Sequence, residues 1–198
     1  MRIWLKKGIL IASLCQQVLL YTWYFFETGF DLSEALPFHI SRITTVLGII
    51  FLFTNNKKVL NVAFYWSIYA YGSFLYPANI HPPYHALGIS YFTNHVITIL
   101  LPFFMTIAYG WRPKLEGLKS AYGWFLLYMI AAYFFNPLVD GNYFYLEQRI
   151  IFQNWPDIWY LLFCALFTLA LFIFYYYFFT AVTSKLPKSK GISKQKYS

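Results

Sequence analysis

Residues 36 to 51, "LPFHISRITTVLGIIF", set a proline, a histidine, a serine and an arginine at the head of an apolar run. Residues 91 to 102, "YFTNHVITILLP", place Asn94 and His95 inside a second one. Polar and ionisable groups in such runs are costly, so they usually face the interior of a bundle and mark a function. His39 and His95 are candidate general bases, and Ser41 is a candidate nucleophile once a base removes its proton. Arg42, Asn94 and the free amides of a helix N-terminus could hold a phosphate or stabilise an oxyanion. Pro37 suits the first turn of that helix, since it gives up an amide with no partner there.

Helical phase constrains the assignment. His39 and Arg42, three residues apart, share a face, whereas Ser41 sits about 200 degrees from His39 on the side of Thr44 and Thr45. His39 and Ser41 therefore cannot both enter one cavity on a regular helix. With Ser41 as nucleophile, His95 is the available base; with His39 lining the cavity, Ser41 bonds back to the backbone. The blander alternatives are an Arg42 that snorkels to the surface and a His95 that is a packed interhelical hydrogen bonder.

The elements that must carry these groups follow from composition. Of 198 residues, 60% are hydrophobic, 24% aromatic and only 11% charged, too few for a soluble domain of this size. Runs long enough to cross a bilayer fall at 8 to 26, 35 to 54, 59 to 76, 87 to 109, 118 to 136 and 156 to 181. The fold class is all-α, a polytopic transmembrane bundle of six helices over residues 1 to 184, followed by a basic tail, 185 to 198, expected to be disordered. The start "MRIWLKKGILIASLC" resembles a secretory signal, but its apolar run continues to Phe26 and reads as an uncleaved first span.

Direction comes from the basic residues. Arg2, Lys6, Lys7, Lys57, Lys58, Arg112, Lys114, Lys119 and the tail lysines fall on one side of the six spans, and only Arg149 on the other, with Glu27, Asp31, Glu34, Asp140, Glu147 and Asp157. Both termini are thus expected in the cytoplasm. Spans two and four then both run inward, with His39, Ser41 and Arg42 roughly 6 to 10 Å below the outer boundary and Asn94 and His95 roughly 10 to 12 Å below it. The net charge of +8 is scattered in short clusters, which argues against nucleic acid as partner. Cys15 and Cys164 lie in apolar stretches without metal or disulfide spacing, and Pro82 and Pro83 deny His81 and His85 a helical metal site, leaving two solvated loop histidines. No metal and no cofactor is expected. Gln16, Gln17, Asn61 and Asn136 read as interhelical hydrogen bonds, Asn136 also as a cap of its helix.

In "LPFHISRITTVLGIIF", "NNKKVLNVAFYW", "NHVITILLPFFMTIAYGWRP" and "GNYFYL" the chain resembles the YwaF family of bacterial six-span membrane proteins, from about residue 30 to 180. That family is similar to eukaryotic acyltransferases of ether phospholipids and, more distantly, to the androgen-induced lipid ester hydrolases. The resemblance implies residence in the cell membrane and a phospholipid or acyl-lipid substrate. It also implies a histidine at His95 opposite a cysteine or threonine nucleophile; this chain has Ser41 there, or Phe38 in another register, and Phe38 has no such chemistry. Competing readings are a noncatalytic lipid-binding or envelope-assembly partner and a small-solute capture subunit of a transporter. Protein partners and oligomeric state stay open.

Overall fold

The computed structural model describes residues 2 to 77 and 81 to 186. The tail from residue 187 on, together with 78 to 80 of the proline-rich loop, lies outside the described residues. Among the latter the regular structure is helical: α1 (Arg2–Glu27), α2 (Leu32–Ala35), α3 (Ile40–Thr54), α4 (Lys57–Trp66), α5 (Ile68–Leu75), α6 (Ala86–Tyr109), α7 (Leu115–Val139) and α8 (Asp157–Ser184), with a single 3-10 turn at Tyr143–Tyr145. Four of these, α1, α6, α7 and α8, are long and apolar enough to cross a membrane. The other two expected spans correspond to α3, of 15 residues, and to the α4–α5 rod.

That rod bends at Ser67. The Ser67 amide is shared between the carbonyls of Ala63 and Phe64, and its hydroxyl donates to Phe64 O at 2.6 Å, a local bond that tightens the turn and tilts α5 against α4. The α3–α4 turn is written in "TNNKK". Asn55 closes α3 in the left-handed region at φ 56°, which asparagine tolerates, and the Asn56 side chain accepts the Lys58 amide to start α4.

Helix α3 begins later than its apolar run. Pro37 keeps Leu36 extended (φ −64°, ψ 151°), and His39 stands at the N-cap with extended backbone and no capping bond from its side chain. Pro37 is therefore outside the helix, not in its first turn, and Ser41 and Arg42 occupy the second and third helical positions. The phase relation between His39 and Arg42 lapses with it.

Helix α6 packs on α1, α3 and α5, and α4 packs on α3, α7 and α8. The core between α4, α7 and α8 is aromatic: Phe64 stacks on Tyr175 at 4.5 Å, and Phe125, Phe172 and Phe179 are fully buried. The outward faces are also apolar, with Val18, Leu127, Phe134 and Leu166 all more than half exposed. A bundle apolar inside and out, with its backbone bonds made within helices, suits hydrocarbon as solvent.

Candidate functional site

The polar residues fall into two layers. The inner one is centred on α6. Gln16 of α1 donates to Ser90 Oγ at 2.5 Å, and Tyr91 OH donates to Ser73 O of α5 at 2.6 Å. Thr45 of α3 hydrogen-bonds Asn94 Oδ1, and lies 3.0 Å from Ser41 O as well; its single proton serves one of them at a time. Gly48 meets Leu101 further along, so α3 and α6 run parallel with Thr45 level with Asn94. Ser41 is then one turn above that contact, and its hydroxyl has no hydrogen-bond partner among the described residues.

His95 is buried at 4% exposure, its ring 4.2 Å from that of Tyr91 and 5.5 Å from Phe74. Its Nδ1 lies 2.7 Å from the Tyr91 carbonyl. A carbonyl only accepts, so Nδ1 carries the proton and Nε2 keeps a lone pair, the tautomer a general base requires. Asn94 and His95, adjacent in sequence, face different neighbours: Asn94 meets α3, His95 meets α5.

The outer layer is a strap, residues 28 to 39, whose backbone is held by side chains. Alternate carbonyls take the donors: Tyr143 OH to Leu32 O at 2.6 Å, Arg42 to Glu34 O and, at 3.1 Å, to Leu36 O, and Tyr128 OH to Phe38 O at 2.8 Å. Arg42 also donates to Tyr24 OH at 2.7 Å and lies over its ring. Three of its five N–H groups are thus committed to the protein. His39 Nε2 is 3.4 Å from Glu34 Oε2, and its ring meets Tyr143 edge-on at 4.9 Å. The His39 side chain beside it, with Arg42 farther off, holds the Glu34 carboxyl below its usual range. Phe38 stacks on Phe135 at 4.8 Å, a packing role.

Of the predicted residues, Ser41 and Asn94 are brought to one helix interface, and Arg42 and His39 share the strap. His39 and His95 are not brought together: one packs on Tyr143, the other on Phe74 and Tyr91. Between α1, α3, α4 and α6 lies a cavity of about 10 Å³, lined by Ser13, Thr44, Thr45, Gly48 and Thr98 among others, enough for about one water-sized molecule.

Sequence reasoning passed over Tyr24, Tyr128 and Tyr143, which hold the strap, because dense tyrosine reads equally as interfacial belt. It also took Asn136 for an interhelical bond. Fully buried, Asn136 instead clamps the loop after α7, its Oδ1 accepting the Tyr143 amide at 2.8 Å and its Nδ2 donating to Tyr143 O at 3.0 Å. Gln16 does bridge helices, whereas Gln17 donates to Gln16 on its own helix. Asn61 packs against Gly117, and its Oδ1 is buried without a partner among the described residues. His85 is no solvated loop residue: its Nδ1 accepts the Leu87 amide at 3.2 Å and caps α6, with His81 stacked on its ring at 4.5 Å. Near-parallel rings at that spacing cannot share one in-plane ion. Among the described residues no group of three or more His, Cys, Asp or Glu side chains could hold a metal.

Long apolar helices, apolar outward faces and polar groups gathered inside define a polytopic helical membrane protein. The chain belongs to the TMEM164 family, whose model it matches over residues 1–176. No curated protein and no solved structure matches it.

Proposed function

We propose that this protein acts on phospholipid or acyl-lipid in the outer leaflet as an acyltransferase or ester hydrolase, with α3 and the α4–α5 rod completing six spans and both termini in the cytoplasm. Two separate observations support the reading: a buried His95 on α6 whose Nε2 keeps a lone pair, and a Ser41 hydroxyl on α3 with no hydrogen-bond partner among the described residues. His95 packs toward α5, so the reaction requires its ring to turn toward α3. Ser41 Oγ attacks the acyl carbonyl and its proton passes to His95 Nε2. The lyso-lipid oxygen leaves with that proton, and the acyl group remains as a Ser41 ester. A second lipid hydroxyl, or water, resolves the ester by the same steps in reverse. Asn94 and the free amides at the start of α3 stabilise the oxyanion. The two remaining N–H groups of Arg42 are available to a headgroup phosphate, while His39 and Glu34 fix the strap above.

Purified protein incubated with acyl-labelled phospholipid tests this. His95→Ala should lower transfer or hydrolysis by about 10²- to 10⁴-fold, the range of a general base, and Ser41→Ala should remove any acyl adduct seen by mass spectrometry of the intact chain. Unchanged turnover in His95→Ala rules the mechanism out.

A noncatalytic lipid-binding or envelope-assembly role is the second reading. It is favoured by the commitment of Arg42 to backbone carbonyls of the strap. Lipid retained through purification without turnover would favour binding alone.

A further inference from the structure

The two ends of the bundle differ in what their charges touch. At one end Arg42 and Arg149 face six carboxylates, Glu27, Asp31, Glu34, Asp140, Glu147 and Asp157, and both arginines are engaged: Arg42 with carbonyls, Arg149 with Asp157 and with Trp155 O. At the other end the start of α1, the α3–α4 turn, the α6–α7 turn and the end of α8 come together. Lys6 bonds Asn55, Tyr65 OH donates to Lys114 O at 2.9 Å, Gly117 packs on Asn61, and Arg112 donates to Thr183 O at 3.2 Å. This gathers Arg2, Lys6, Lys7, Lys57, Lys58, Arg112, Lys114, Lys119 and Lys185 around a single carboxylate, Glu116. The sequence beyond Leu186 adds four lysines and no carboxylate.

Apolar side chains are interleaved with these cations. Ile3, Trp4 and Leu5 are 66%, 75% and 54% exposed on the first turns of α1, with Lys7 Nζ 5.2 Å from the Trp4 ring, and Phe53 and Leu115 stand exposed beside the two turns. A polyanion in water or an acidic protein would match the lysines and leave these groups wet. A bilayer surface matches both, with phosphates at the lysine level and acyl carbons just below, where tryptophan anchors.

We propose that this end is a docking surface for anionic phospholipid, selecting such lipids from a mixed leaflet through Lys57, Lys58, Lys114 and Lys119. The full chain reconstituted in nanodiscs of equimolar phosphatidylglycerol and phosphatidylcholine, then released and measured for retained lipid by native mass spectrometry, tests it. Retention should favour phosphatidylglycerol about fivefold or more, the worth of one well-placed cation, and approach parity in K57Q/K58Q/K114Q/K119Q. Should that variant fail to fold, the unaltered chain decides: the preference should fall toward parity at about 1 M NaCl, where the screening length is near 3 Å. Equal retention of the two lipids, or a preference that survives both the substitutions and the salt, overturns the proposal.

Discussion

Arg42 shows how one side chain's role changes with the backbone around it. As a charge at the head of an apolar run it suggests an anion site, and with Ser41, Asn94 and His95 it was legible as part of a polar cluster. Its main partners, the Glu34 and Leu36 carbonyls, could not be read in the sequence, because backbone acceptors carry no residue signature. They are unpaired only because Pro37 keeps the strap from extending α3 upward. Arg42→Gln should destabilise the fold by about 2 to 4 kcal/mol, the cost of leaving partly buried acceptors without a charged donor. Arg42→Lys should recover less than half of that, since an ammonium cannot fork to two carbonyls while lying flat on Tyr24. Thermal unfolding in detergent, followed by near-UV circular dichroism, measures both; equal stability of the lysine variant would return Arg42 to the role of a simple surface charge.

At the scale of elements, the six apolar runs each coincide with a helical rod, four of them long and apolar enough to cross a membrane, with ends that differ by up to six residues. Run length missed where α3 begins and where the third rod bends. Both are decided by single residues, Pro37 and Ser67, acting on local backbone bonds that a hydropathy window averages away. The loop after α7 has a similar dependence on one side chain. Asn136, fully buried, holds the amide and carbonyl of Tyr143, whose hydroxyl in turn reaches Leu32 O, so α7 and the strap are coupled through three bonds. Asn136→Leu should therefore cost about 2 to 4 kcal/mol by orphaning two buried backbone groups, and should also loosen residues 28 to 39. Hydrogen exchange by mass spectrometry reads the second effect; faster exchange confined to the α7 loop would disconnect it from the strap.

For the whole molecule, the charge bias between the ends is the clearest signal the sequence carries, and it makes a parity prediction. With six crossings, cysteines placed at Lys7 and Lys185 in a Cys15→Ala, Cys164→Ala background should be labelled from one side of a sealed vesicle, and one at Asp140 from the other. If only one of α3 and the α4–α5 rod crossed, Lys7 and Lys185 would fall on opposite faces. If neither crossed, leaving the four long helices alone, a cysteine at Lys57 would be labelled with Asp140 instead of with Lys7. Impermeant maleimide labelling of oriented vesicles at all four positions separates the alternatives. The short α3 adds a consequence on the six-span reading. Fifteen residues of helix reach about 22 Å, roughly 8 Å less than the hydrocarbon of an ordinary bilayer. Lipids beside that flank must compress, or let headgroups and water sag inward, to meet it. An ester bond that normally rests at the polar boundary would be carried down with them toward Ser41, so the membrane's own deformation would deliver the reactive carbonyl and little of the protein would need to open.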